Sequence, residues 1–178
     1  RNHIQNMKIQ LYEKNYNALD CYLNELVEDL NTVDTVIKTG NVMVDAILNS
    51  KLSLSAKLNV KINVKANVPQ KLKISDVELC SILGNLLDNA NEACEKVPKE
   101  NRFIRVYIGT LKGQFYLSVQ NCAASKEIIK KEGKYLSQKS GDHGFGLFRI
   151  DSIATKYRGF VNRQDEEGVF ATEIMLPL

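Results

Sequence analysis

Apolar residues recur at helical spacing through residues 2–30. Ile4, Met7, Leu11, Ala18, Tyr22, Leu26 and Leu30 trace one stripe, and neither Pro nor Gly interrupts it. Asn31 and Thr32 form a weak break. A second helical pattern then runs through Val33, Ile37, Val44, Ile47, Leu48 and Leu52. Gly40 falls inside it, where a glycine costs about 1 kcal/mol relative to Ala. Two helices joined by a short turn predict an antiparallel hairpin. A lone hairpin buries little apolar surface, whereas two copies form a four-helix bundle. The pattern therefore predicts a homodimer, in preference to a hairpin folded back on its own downstream domain.

The period changes near Leu58. Val60, Ile62 and Val64 alternate with Lys61, Asn63 and Lys65, which predicts a half-buried strand ended by Pro69. Ser75 with Glu78 three residues on predicts a capping box, opening a helix that reaches Lys96 before Pro98. Residues 103–109 and 115–120 read as strands of a hairpin turning at Lys112 and Gly113. A polar, lysine-rich stretch covers residues 123–142. A helix over 145–157 stops at Gly159, and strands 160–164 and 169–176 are joined by an acidic turn ending in Gly168. Hairpins join many of the strands, so the predicted class is α+β, a mixed sheet covered by helices on one face. The expected division is 1–57 for the hairpin and 58–178 for the sheet-bearing domain.

Composition narrows the function. The chain has 178 residues, 44% of them hydrophobic, which supplies a core and excludes a mainly disordered chain. Its net charge of +3 arises from 24 basic residues interleaved with 21 acidic ones. That balance, without an aromatic-and-basic stacking surface, argues against nucleic-acid binding. The four cysteines, Cys21, Cys80, Cys94 and Cys122, form no C-x-x-C pair and read as buried free thiols in a reducing compartment. No apolar run reaches the ~18 residues of a membrane span, and no signal peptide is visible. The chain opens on Arg1, so it reads as a fragment with a membrane segment expected upstream.

Two segments carry chemistry. In the helix after Ser75, Asn85, Asn89 and Glu92 lie at i, i+4 and i+7 on one face, bordered by Asp88. The other side holds Leu79, Ile82, Leu83, Leu86, Ala90 and Ala93. Asn competes for backbone groups and is a poor helix former, so two in mid-helix suggest work for their carboxamides. A carboxamide oxygen is a hard, neutral ligand suited to Mg²⁺, an ion that also binds phosphate oxygens directly. A solvated helix face accounts for the stripe equally well when it is taken alone. The second segment is Gly141, Asp142, His143, Gly144, Phe145 and Gly146, leading into an apolar helix. Glycines let backbone approach phosphate, and a helix N-terminus offers free N–H groups. A plain loop-to-helix junction explains this turn about as well, and it matches neither the Rossmann nor the P-loop pattern.

Together the segments carry a resemblance. Asn85, Leu86, Leu87, Asp88, Asn89 and Ala90 look like the N box of histidine-kinase ATPase domains. Gly144, Phe145, Gly146 and Leu147 look like their second glycine box, and the strand hairpin and lid between them are similarly spaced. The wider group is the GHKL superfamily of DNA gyrase, an ATP-driven heat-shock chaperone, mismatch-repair ATPases and histidine kinases. Within it, Thr39, Gly40 and Asn41 followed by residues 45–51 resemble the Agr-type, peptide-pheromone quorum-sensing sensor kinases. The resemblance spans nearly the whole chain. It implies a dimeric helical hairpin followed by a two-layer α/β sandwich of the Bergerat type, binding ATP and Mg²⁺. Asn89 would ligate Mg²⁺, and Asn85 would sit beside the phosphates, ordering water or the metal shell. The backbone of Gly141, Gly144 and Gly146, with Leu147 behind, would hold the phosphates. The lid carries Lys126, Lys130, Lys131, Lys134 and Lys139. Lys139 is the one offered to the γ-phosphate, although a solvated loop accounts for each lysine taken singly. His143 either touches phosphate or caps the loop.

Two departures from the family pattern matter. Most histidine kinases have an Asp-x-Gly-x-Gly box whose Asp accepts the adenine amino group. Here Asn121 stands in that place and the glycines are missing. The neutral carbonyl accepts a weaker hydrogen bond, which predicts modest ATP affinity. Relatives also carry a phosphoacceptor His, with an Asn four residues later. Asn2 fits that Asn, which places the acceptor just before Arg1; alternatively His3 is itself the acceptor. The implied function is the cytoplasmic dimerisation-and-catalytic portion of a membrane sensor histidine kinase. Its partners would be a second copy and a response-regulator receiver domain. The rivals are a dimeric adaptor with a degenerate domain of the same fold, and a GHKL kinase acting on serine. The first expects the N-box Asn or glycine box to be lost, and the second does not expect the long hairpin.

Overall fold

The computed structural model describes residues 37–124, 129–131, 134–136 and 145–178, together with residues 7, 11, 12, 15, 16, 19 and 20. The chain divides into two compact units, Arg1–Val36 and Ile37–Leu178. In the first, Met7, Leu11, Tyr12, Tyr16, Leu19 and Asp20 are helical, as the apolar stripe predicts. The remainder of the expected first helix, with the turn at Asn31 and Thr32, lies outside the described residues.

The second unit begins with residues 37–41, which belong to no helix or strand, and helix α1, Val42–Lys57. Gly40 differs from its expected place inside a helix. Its φ of +92° is left-handed, which a glycine adopts without a Cβ clash, and it lies before the helix. Asn41 is the N-cap, its side chain accepting from the N–H groups of Met43 and Val44. Val44, Leu48 and Leu52 then follow at helical spacing and are buried. They pack in the same core as the sheet, so α1 belongs to the compact unit that starts at Ile37. The expected boundary lay after residue 57, because the apolar spacing of a helix does not reveal which surface it covers.

Strand β1, Lys61–Ala66, follows, and then helix α2, Asp76–Glu95. Ser75 caps α2 through its hydroxyl, which accepts from the Glu78 N–H. The box closes differently from expectation, since the Ser75 N–H goes to the Tyr157 hydroxyl at 3.3 Å. A short 3₁₀ turn, Lys99–Asn101, leads into β2, Phe103–Leu111, and β3, Gln114–Cys122. The two turn at Lys112 and Gly113, both with positive φ. Strands β4, Ile129–Lys131, and β5, Lys134–Leu136, make a separate antiparallel pair. Helix α3, Phe145–Lys156, precedes β6, Phe160–Glu166, and β7, Val169–Pro177.

The main sheet has the order β1-β2-β3-β7-β6. Only β1 and β2 run parallel; every other pairing is antiparallel. Helix α2 packs against both α1 and α3, forming one helical layer on the sheet. Leu79, Ile82, Leu83 and Leu87 of α2 meet Ile104, Leu117 and Ile174 of the strands in the dry interior between the layers. The arrangement is the predicted mixed sheet with helices, an α/β sandwich. Arg102 ties the far end together: its guanidinium donates to the carbonyls of Val97, Leu58 and Glu95 at 2.8, 2.9 and 3.2 Å.

Candidate nucleotide site

The polar stripe of α2 borders the start of α3. The sequence produces this meeting through packing: Leu79, Ile82, Leu83 and Leu86 turn the opposite face of α2 into the core, leaving Asn85 and Asn89 at its margin. Asn85 donates its Nδ2 to the Ser81 carbonyl at 2.6 Å. This fixes the carboxamide and leaves Oδ1 turned toward α3. A Cβ placed on Gly146 would come within 3.0 Å of that oxygen. The absent side chain of Gly146 is therefore what lets the two segments approach. Leu147, next along, is partly buried against the core and anchors the helix start.

Asn89 lies one turn further on and is half-buried. Among the described residues its side chain makes no hydrogen bond, so its oxygen is available as a ligand. Asn121 occupies the end of β3, across which α2 packs, and is buried. Its Nδ2 donates to the Cys122 carbonyl at 2.8 Å. Asp88, beside the stripe, is exposed and accepts from Lys51 of α1 at 2.6 Å. Among the described residues no group of three or more His, Cys, Asp or Glu is arranged to hold a metal. The donors present are neutral carboxamides, which suit Mg²⁺ sharing its shell with phosphate and water. On this donor chemistry the residues fit a magnesium nucleotide.

Asn2, His3, Lys139, Gly141, His143 and Gly144 lie outside the described residues. Of the expected site residues, Asn85, Asn89, Asn121, Gly146 and Leu147 are placed, and Asn85 and Gly146 are in direct proximity.

The sequence and the fold are similar to those of known proteins. Residues 72–177 match the family described as the GHKL domain. The chain belongs to that family. It is also 26% identical over 100 residues to the sensor histidine kinase DpiB of Escherichia coli K12, an alignment covering 53% of this chain and 18% of DpiB. The chain thus spans about a fifth of that relative's length. The fold resembles the catalytic domain of the histidine kinase ThkA, with a TM-score of 0.62 at 19% identity over 79% of this chain and 93% of that one. It also resembles the Acinetobacter baumannii histidine kinase AdeS, with a TM-score of 0.57 at 14% identity over 98% and 94%. The domain is of the histidine-kinase ATPase type.

Residues 39–51, read from sequence as a subfamily signature, have a structural role that spacing alone did not reveal. Asp45 accepts from the Thr39 N–H at 2.7 Å and from its hydroxyl at 2.6 Å. Asn49, one turn on, accepts from the Ile37 N–H at 2.9 Å and donates to its carbonyl at 3.1 Å. Asp45 and Asn49 thus clip residues 37–39 along α1, and Asn41 reaches Asp76 at the start of α2 at 2.7 Å. Lys51 completes the series by reaching Asp88 on α2. Asp45 and Asn49 stand at i and i+4 on α1, and the partner segment became visible only in the fold.

Proposed function

We propose that this chain binds Mg-ATP between α2 and α3 and is the dimerisation-and-catalytic portion of a sensor histidine kinase. The observation that carries the reading is the approach of Asn85 Oδ1 to Gly146, which sets a carboxamide beside a glycine-opened helix start. Asn89 holds Mg²⁺, Asn85 orders the shell beside the phosphates, and the backbone from Gly141 to Gly146 cradles them. Asn121 accepts from adenine. When bound, Mg²⁺ neutralises charge building on the transferred phosphoryl group. The protein's own part is positioning. The γ-phosphoryl group passes to a His on the N-terminal helical segment, either His3 or one preceding Arg1. From there it passes to an Asp of a response-regulator receiver domain. Two copies associate through that segment. The resemblance of residues 39–51 to the Agr-type kinases supports a quorum-sensing context and an upstream membrane sensor.

Incubation of the chain, extended upstream by several residues, with γ-labelled ATP tests this. The expected outcome is acid-labile label, lost in Asn89→Ala and retained in His3→Ala. Retention in Asn89→Ala overturns the metal assignment, and loss in His3→Ala makes His3 the acceptor. Absence of both label and nucleotide binding favours the adaptor. Titration calorimetry giving submicromolar ATP affinity overturns the weak adenine contact assigned to Asn121.

A further inference from the structure

Cys94 lies near the end of α2 and Cys122 is the last residue of β3. Both are buried, and their sulfurs are 3.1 Å apart. The hydrogen bonds give the pair a direction. Cys122 donates its S–H to the Cys94 sulfur, while Cys94 donates its own to the Phe103 carbonyl at 3.5 Å. A lone pair of Cys94 therefore faces the Cys122 sulfur. A disulfide bond is about 2.0 Å long, so closure from 3.1 Å asks for a movement of about 1 Å.

Both residues belong to the buried core, with Cys94 at 0% exposure and Cys122 at 2%, and Cys122 also borders a cleft. Cys122, with Ala123 and Ala124, lines a cleft of about 920 Å³ whose wall also includes Lys61, Arg102 and Arg105. Cys94 stands behind it, in the core. Burial, and then the neighbouring Cys122, pushes the Cys94 thiol up to about 12. Cys94 is thus held as the thiol near neutral pH, so it is not the sulfur that meets the oxidant first.

We propose that Cys94 and Cys122 form a redox modification site, at which hydrogen peroxide entering from the cleft converts the dithiol to an intramolecular disulfide. The Cys122 sulfur attacks a peroxide oxygen, the O–O bond breaks, and a sulfenic acid and one water result. The Cys94 sulfur then attacks the sulfenic sulfur. The S–O bond breaks, and the hydroxyl leaves with the Cys94 proton as a second water. Two thiols have lost two electrons and two protons, and the peroxide has gained both.

The bond bears on the nucleotide site, a consequence that rests on the function proposed above. Asn121 is held by donating to the Cys122 carbonyl. Drawing Cys122 toward α2 moves that acceptor and turns the carboxamide assigned to adenine. The disulfide form is expected to bind ATP severalfold more weakly.

The full chain, reduced and then treated with hydrogen peroxide, is quenched with N-ethylmaleimide under denaturing conditions and mapped by mass spectrometry. The expected product is a Cys94–Cys122 cross-linked peptide that dithiothreitol dissolves. It should persist in Cys80→Ser and vanish in Cys122→Ser. Recovery of both residues as alkylated thiols, or as unlinked sulfinic acids, overturns the site. This readout uses the natural chain and no nucleotide, so it stands apart from the kinase reading. Calorimetry with ATP then compares the two forms. Weaker binding restored by reductant supports the coupling, and equal affinity overturns it. Failure of the reduced chain to bind ATP overturns the nucleotide reading and leaves the disulfide intact.

Discussion

At the scale of single residues, the site depends on what Gly146 lacks. An alanine there gains helix propensity of about 1 kcal/mol. Its methyl group would also sit 3.0 Å from Asn85 Oδ1, tighter than ordinary contact. Overpacking of this kind costs about 1–3 kcal/mol. Asn85 can yield by leaving its bond to Ser81, so the strain falls on the carboxamide and much less on the fold. Gly146→Ala is therefore expected to keep its thermal midpoint within a few degrees while Mg-ATP affinity drops roughly tenfold, about 1.4 kcal/mol. Calorimetry and a melting curve on one sample read both; a lowered midpoint with unchanged affinity contradicts the assignment. Gly159 illustrates a different constraint. The sequence marks it as the stop of α3, but the left-handed residue is Arg158, at φ +54°. Gly159 is required because a Cβ there would lie 2.3 Å from Leu176 and 2.5 Å from the Met175 carbonyl. A helix stop is visible in sequence, whereas a strand passing close by is not.

Elements are held to each other by polar contacts that sequence spacing did not expose. Ser55 of α1 donates to Asn91 Oδ1 of α2 at 2.5 Å, and Asn91 Nδ2 donates to the Lys51 carbonyl at 3.3 Å. Both side chains are buried. Asn91→Ala leaves the Ser55 hydroxyl only the Lys51 carbonyl, at 3.2 Å, and should lower stability by about 0.5–1.5 kcal/mol. Urea unfolding measures this, and a change under half a kcal/mol, within the usual range of surface substitutions, shows that α1 does not depend on the bond. At the other end of α2, Glu78 accepts from Lys156 at 2.8 Å and from Tyr157 at 2.5 Å. The Lys156 ammonium, and then the Tyr157 hydroxyl, lower its carboxyl from 4.5 to about 2. A depressed acid stabilises the fold above its unfolded pKa and loses that contribution as pH falls through the folded value. The melting temperature should therefore decline between about pH 5 and pH 2 more steeply in the natural chain than in Glu78→Gln. Parallel declines in a pH series of melts would remove Glu78 from the account.

On the scale of the whole molecule, the compact unit reaches back to Ile37. A fragment of residues 37–178 is expected to unfold cooperatively, and one of residues 58–178 to be largely unfolded. The shorter piece loses Val44, Leu48 and Leu52, all buried. Removing even one such leucine side chain costs about 2–5 kcal/mol, against a total domain stability of only about 5–15 kcal/mol. Denaturation followed by circular dichroism decides the matter. Cooperative unfolding of 58–178 at the same midpoint would place α1 outside the domain. Among the described residues no helix is long and apolar enough to cross a membrane.

Local order was set down in the sequence itself. Alternation marked β1, a serine and a proline bracketed α2, the turn at Lys112 and Gly113 joined β2 to β3, and Gly168 closed the turn between β6 and β7. Each signal acts over a few neighbouring residues, through backbone preference or a side-chain period, so a linear reading captures it. The carboxamide stripe and the glycine turn were legible for the same reason, and their resemblance to known boxes linked them. Tertiary structure alone decided what lies across the chain from each. It seated α1 on the sheet-bearing unit, set Asn85 against Gly146, gave Asp45 and Asn49 a backbone to clip, and brought Cys94 to Cys122. Those outcomes depend on contacts between residues far apart in sequence, where burial and close packing choose the partner.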